Sequence, residues 1–366
     1  MMRRFLAVAA FLSGVAGAAD APKTVVVYRQ AERFAGWPAN HGIWSWGNEI
    51  AVGFEAGYFH LRKPGQHEHS IDYKQTEEHL LARSLDGGET WSVEKPDGLK
   101  PPPGAKIAGV PAEPGGKAVS DFGGRIDFEK PGFAITFRME DIHIGPSRFY
   151  YTLDKGKTWQ GPYRVPNFGQ KGIAARTDYL VEDSSTLTVF LTAAKSNGKE
   201  GRVICVRTSD GGQTWKFVSY VTPEPAGADH AIMSSSVRLS ARTIISAVRY
   251  RQCIDLYRTD DNGLTWQYAG RPAPGVENPP SLVHLKDGRI VLTYGRREPP
   301  FGIRARVSAD EGKTWDPEVV LRTDGGCWDL GYTRSVQRPD GKVVTVYYYN
   351  TDCAAERFIG ATIWEP

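Results

Sequence analysis

Six segments of the chain each join an ionisable or nucleophilic side chain to the start of an apolar or alternating stretch. NHGIWSWGNEIAVGFE carries His41 and Glu55, SDFGGRIDF carries Asp121 and Arg125, and AARTDYLV carries Arg176 and Asp178. DHAIMSSSVRL carries His230, ENPPSLVHLKDGRIVLTYGRR carries Glu277, Arg296 and Arg297, and DLGYTRSVQRPDGKVV carries Asp329, Tyr332 and Arg334. Carboxylates and imidazoles can move protons. A phenol or a carboxylate can attack an electrophile. Guanidiniums can hold an anionic group through paired hydrogen bonds. Charges directed at a common centre are costly unless they bind a ligand or one another. The same pattern also fits a solvated rim of structural ion pairs.

The elements that position these residues are announced by a repeated turn. SLDGGETW (84–91) returns as TLDKGKTW (152–159), TSDGGQTW (208–215), TDDNGLTW (259–266) and SADEGKTW (308–315). Each copy lies between strand-like stretches, which is the pattern of a hairpin. Its Asp can accept backbone N–H bonds, its Gly can take a positive φ, and its Trp can pack on a neighbouring sheet. Successive Trp residues stand 49 to 68 apart, about one four-stranded sheet per copy. Equivalent turns on separate sheets cannot converge on one centre, so these Asp residues are read as architectural.

The chain has 366 residues, 40 of them Gly, with 45 basic and 42 acidic groups and a net charge of +3. That balance gives no reason to expect nucleic acid or a membrane surface as a partner. MMRRFLAVAAFLSGVAGA (1–18) has the charged start, apolar run and small-residue end of a secretory signal. It predicts export to the periplasm or beyond, with no membrane insertion of the mature chain. Four Cys (205, 253, 327, 353) allow two disulfides or free thiols, with Cys327 and Cys353 the first candidates for a pair. No clustered His/Cys motif suggests zinc, and no cofactor is expected.

The S/T-x-D-x-G-x-T-W pattern resembles the Asp-box, or BNR repeat, of the sialidase (neuraminidase) superfamily. The resemblance covers residues 84–315 and implies an all-β, six-bladed β-propeller of four-stranded antiparallel sheets. Expected blades are 40–97, 118–165, 171–222, 229–271, 276–321 and 326–366, the ring being closed by TVVVYR (24–29). A sixth sheet lacks a box, and a closed ring needs no partner to cover an edge, so a monomer is expected. By the same resemblance Tyr332, followed by Thr333 and a D-G turn, is the nucleophile. Glu277, with Lys286-Asp287-Gly288 and Arg296/Arg297 after it, draws off the phenolic proton. Asp72, a dozen residues before the first box, is the acid/base group. A neutral Tyr suits attack beside a sugar carboxylate, which would repel a carboxylate nucleophile.

The family opens its first blade with R-I-P, whose Arg helps hold the substrate carboxylate. The matching place here is Asn40-His41-Gly42-Ile43-Trp44. His41 is largely neutral near pH 7 and is a poor substitute. That points away from sialic acid itself and towards another terminal, acidic sugar. Arg176, Arg296, Arg297, Arg304 and Arg334, with Asp121 and His230, are the remaining candidates for binding it. The resemblance thus implies a secreted exo-glycosidase acting on glycans. Two other readings remain open. In a polysaccharide lyase, His41 or His230 would abstract a proton and Tyr332 would act as acid. In a binding propeller, Trp37, Trp44, Trp46 and Tyr58 would stack on sugar rings.

Overall fold

The computed structural model describes residues 21–366 except 64, 65, 67, 108, 109, 114 and 276–278. The proposed signal (1–18) and Glu277 lie outside the described residues. Six small antiparallel sheets make a ring of blades. α-Helix among the described residues is limited to the single turn Pro38–His41. No helix there is long and apolar enough to cross a membrane.

Blade 1 runs from Arg33–Gly36 and Ile43–Trp46, both paired to Glu49–Tyr58, out through Glu78–Ser84 to Ser92–Glu94. Blade 2 has Ala134–Met139, Ser147–Thr152 and Gln160–Arg164. Blade 3 pairs Ile173–Ala174 and Tyr179–Val181 with Leu187–Ala194, followed by Glu200–Thr208 and Lys216–Tyr220. Blade 4 is Ala231–Arg238, Ile244–Tyr250, Cys253–Thr259 and Gln267–Ala273; blade 5 is Ser281–His284, Ile290–Arg296, Gly302–Ser308 and Val319–Arg322. Blade 6 takes Gly331–Gln337, Val343–Tyr349 and Phe358–Trp364 from the end of the chain, and Lys23–Tyr28 from its beginning. Thr24 stands opposite Thr362 and Val25 opposite Ala361, so the first strand fills the outer edge of the last sheet.

The hydrophobic core is divided among the seams. One buried cluster joins blades 6 and 1 through Phe34, Val52, Val344 and Ile359. Others join blades 2 and 3, 3 and 4, 4 and 5, and 5 and 6. The seam between blades 1 and 2 has a smaller cluster around Trp44, Leu81, Tyr150 and Trp159, and it is also where buried ionisable groups collect.

The five turns share a core of bonds, the Asp accepting from the Thr N–H and hydroxyl and the Gly N–H donating to the opening Ser/Thr hydroxyl. In the first, Asp86 accepts the N–H groups of Glu89 and Thr90 at 3.1 and 2.9 Å and the Thr90 hydroxyl at 2.6 Å. Gly88 N–H donates to Ser84 Oγ at 2.7 Å, and the Trp91 indole donates to Gly88 O at 2.9 Å. The Thr hydroxyls, chiefly, hold Asp86, Asp261 and Asp310 at about 2, below the usual carboxylate range. The glycine at each turn abuts the preceding blade. A Cβ on Gly88 would lie 3.1 Å from Val344, one on Gly263 3.2 Å from Cys205, and one on Gly312 3.1 Å from Leu256. The boxes therefore join blade to blade.

Blade 2 departs from the expected four strands. Residues 118–128 do not return to its inner edge. Ser120 bridges Tyr163 on the outer strand, and Ile126 N–H donates to Gly211 O in the box of blade 3. Phe122 packs there on Phe149, Tyr151 and Tyr163, which explains why this segment stays outside. The vacated inner position is taken by the turn Pro38–His41 and by Thr177. Thr136 Oγ1 donates to His41 O at 2.8 Å, and Phe137 N–H donates to Thr177 Oγ1 at 3.1 Å.

Candidate functional site

The inner strands of blades 4 and 6 open with the same irregularity. Met233 and Tyr332 have φ of 56° and 52°, and the ladder register shifts around each, between Ile232 and Ser235 and between Gly331 and Arg334. Bulges of this kind re-aim a side chain out of the pleat, and a left-handed backbone at a bulky residue persists only where its surroundings hold it. Trp37, at φ 59°, precedes the one-turn helix. All three side chains line one cavity of about 240 Å³ at the mouths of the inner strands, with Asn40, His69, Tyr73, Arg176 and Glu200 among its other walls.

Tyr332 sits among cations. The Arg249 guanidinium lies beside its phenol, and the Arg297 guanidinium stands 5.4 Å from its ring centroid and 5.1 Å from that of Trp328. Burial lowers the Arg249 pKa. Arg297 is fixed from behind, donating to Tyr348 Oη at 2.7 Å and to Leu330 O at 3.2 Å.

Across the cavity the His69 ring lies 6.3 Å from the Tyr332 ring, edge to face. Its Nδ1 is 2.6 Å from Asp329 Oδ1. Asp329 is 1% exposed and also accepts bonds from Ser70 N–H, Tyr348 Oη and Arg357 Nε at 3.0, 2.9 and 3.0 Å. Burial alone would raise its pKa. The facing His69, the Arg357 charge and these bonds outweigh it and hold the carboxyl well below its usual range. A buried carboxylate bonded to one imidazole nitrogen fixes the tautomer and orientation of the ring.

Of the expected site residues, Tyr332, Arg176 and Arg297 converge here. Arg176 is already engaged, bonded to Glu200 Oε1 at 2.5 Å and Asn40 Oδ1 at 3.2 Å. The others are placed elsewhere. His41 is fully buried against Glu55, 2.6 Å away, in the seam between blades 1 and 2. Asp72 caps its own turn, accepting Lys74 N–H and the Gln75 amide, while its neighbour Tyr73 faces the cavity. Asp121 is on the outer rim, paired with Arg164 and 87% exposed, because its segment never reaches the axis. Arg304 is 2% exposed and bonded to Glu318 and to the carbonyls of Arg322 and Pro300, which leaves it a structural role within blade 5. Arg296 ends its strand outside the cavity lining, its Nε buried without a partner. His230 lies just before blade 4, outside the lining, its pKa lowered by burial and then by Arg249.

Arg334 lies deeper on the axis. It donates to Ala39 O and Thr177 O at 2.6 and 2.8 Å and borders a second cavity of about 280 Å³ together with Asp178, Ser235, Ser281 and Ser335. Arg334 and Asp178 face the same cavity and influence each other through charge, while their hydrogen bonds go elsewhere, those of Asp178 to Ser236. His69, Glu200, Met233 and Arg249 were not singled out by sequence. Their approach depends on the closed ring, and no local spacing announces it. Trp37 was named only as a stacking aromatic. All four cysteines, the expected pair Cys327 and Cys353 included, are free thiols.

The fold and the site define a six-bladed propeller with a pocket of mixed aromatic, apolar and charged lining over its axis. A family model described as a BNR repeat-like domain matches residues 144–345, more than half of the chain. The chain belongs to that family, within the sialidase-like propellers. Sialidase-4 of Mus musculus is 25% identical over 177 residues, which cover 39% of this chain and 36% of that protein. Among solved structures, a Dyadobacter fermentans protein of unknown function has a TM-score of 0.71 at 21% identity, covering 94% of this chain and 99% of that one. Trypanosoma rangeli sialidase in complex with sialic acid has 0.59 at 13% identity, over 94% and 59% of the two chains. Penicillium chrysogenum alpha-L-arabinanase complexed with arabinobiose has 0.57 at 14%, over 94% and 98%. At these identities the likeness is one of fold.

Proposed function

We propose that the protein is a sialidase-like exo-glycosidase that releases a terminal acidic sugar, with Tyr332 as nucleophile. The observation that carries this reading is Tyr332 itself, turned into the cavity on a left-handed backbone with Arg297 beside its ring and the Arg249 charge near its phenol. The two guanidiniums would hold a sugar carboxylate and stabilise charge developing at the phenol oxygen. His69, oriented by Asp329, would protonate the leaving oxygen and later activate water, a role sequence had given to Asp72. Glu277 remains the proposed proton acceptor for Tyr332. A cavity of about 240 Å³ suits one sugar unit at a chain end better than a stretch of polymer. The curated sialidase relative and the glycosidases among the fold neighbours support the class of reaction. The absence of Arg at residues 40–44 favours an acidic sugar other than sialic acid.

One observation favours a second reading. An imidazole and a phenol facing each other beside arginines could also abstract and return protons in a uronate lyase, with His69 in the role first given to His41 or His230. Both are tested by incubation with sialosides and uronate-capped oligosaccharides, following released sugar and ultraviolet absorbance together. Free sugar without absorbance supports the hydrolase. Rising absorbance from an unsaturated product replaces it with the lyase. Binding without turnover on any glycan overturns both.

A further inference from the structure

We propose that the seam between blades 1 and 2 holds a structural metal ion, and that Zn²⁺ is the ion its donors fit. Glu55 and His79 are direct cross-strand partners in blade 1. Glu77 is two residues before His79, so strand alternation puts it on the same face. His41 comes in from the one-turn helix. One donor atom each from His41, Glu55 and His79 lie within 4.8 Å of one another. All four residues are 4% exposed or less. Neither Glu77 oxygen, neither His79 ring nitrogen, nor Glu55 Oε2 has a hydrogen-bond partner. So many orphaned polar atoms in one buried place call for a missing occupant. A divalent cation would satisfy acceptors of this kind together.

The donor set selects among cations. Two imidazoles and one carboxylate make three converging nitrogen and oxygen ligands, with the buried Glu77 carboxylate beside them to approach as a fourth; such a set suits Zn²⁺, whereas Ca²⁺ takes six to eight oxygens. Arg138 stands close by, and the Arg148 charge acts on both Glu55 and His79. Among the described residues neither guanidinium makes an ion pair with Glu55 or Glu77. Their presence further disfavours a hard cation that depends on charge alone. Binding would replace the proton shared by His41 and Glu55, which leaves to solvent. The ion would tie the turn Pro38–His41, which fills the inner position of blade 2, to the middle strands of blade 1, and would hold the turn whose Asn40 supports Arg176.

The test uses the full chain, purified without chelator or metal-affinity resin. Metal content is measured, and the stripped protein is titrated with Zn²⁺ and with Co²⁺, whose visible spectrum reports imidazole and carboxylate ligation independently of activity. About one ion per chain, a higher melting temperature with metal, and affinity weakened at least about tenfold in His79→Gln and Glu77→Gln are expected. A wild-type protein that binds neither ion and melts unchanged would overturn the proposal, leaving the cluster bridged by water. So would stoichiometric binding unaltered by both substitutions, which would place the ion elsewhere. If the variants fail to fold, the wild-type titration and the cobalt spectrum still decide.

Discussion

Tyr332 concentrates the chemistry and the strain of the pocket. Tyr332→Phe keeps the ring that packs on Tyr348, 5.7 Å away, and removes only the oxygen. Turnover of the identified substrate is expected to fall at least about a hundredfold with an unchanged melting temperature; normal turnover would remove Tyr332 from the mechanism. Asp329 is a structural charge as well as a support for His69. Asp329→Asn leaves Arg357, 2% exposed, without its carboxylate. A loss of about 3–5 kcal/mol is expected from denaturant unfolding, because an uncompensated charge stays buried. The pH dependence follows from the direction of the shift. Because the folded-state pKa of Asp329 is depressed, its contribution is complete above the ordinary Asp value near 4 and is lost as pH falls below it.

At the scale of the element, the recurrent turn is the unit that the chain repeats. Its carboxylate stops the chain, its Trp starts the next strand, and its glycine lets one blade approach the last. Gly88→Ala would place a methyl 3.1 Å from Val344 at φ 92°, with about 1–2 kcal/mol of destabilisation expected in urea unfolding. An unchanged midpoint would mean that the seam yields. Asp154→Ala removes the acceptor of the Thr158 N–H and hydroxyl bonds and should cost about 1 kcal/mol, as a lost helix cap does. The depressed box carboxylates, Asp86 at about 2 among them, stabilise the fold above pH 4 and lose that effect as pH falls from 4 towards 2. The acid sensitivity of the wild type in that window should shrink as boxes are converted to Asn. Blade 2 shows what a box cannot do. It sets the outer hairpin at 152–159, but the inner strand went missing because Phe122 found its apolar partners on the outer face.

For the whole molecule, stability depends on closing a ring whose two ends share a sheet. Removing residues 21–28 would expose the Phe358–Trp364 edge, which now pairs with Lys23–Tyr28. Self-association visible by light scattering and a lowered melting temperature are expected, because an unpaired edge is a template for other strands. A truncated protein that stays monomeric and equally stable would show that closure rests on the seams alone.

Much of this architecture was legible without coordinates. Five copies of an eight-residue turn give the hairpin, five of the six sheets and the family resemblance, since strand alternation and turn chemistry are local properties of the chain. Arg176 was found in a segment read as a blade opening, and Tyr332 and Arg297 through the family resemblance. The tertiary structure alone decided which groups meet. His69 joins Asp329 across 260 residues, Arg249 reaches Tyr332 from a blade two places away, and His41 turns into a seam instead of the axis. Such contacts depend on ring closure, on side-chain direction at a bulge, and on which face of a segment buries its apolar residues. Those are global outcomes of packing, and no spacing along the sequence encodes them.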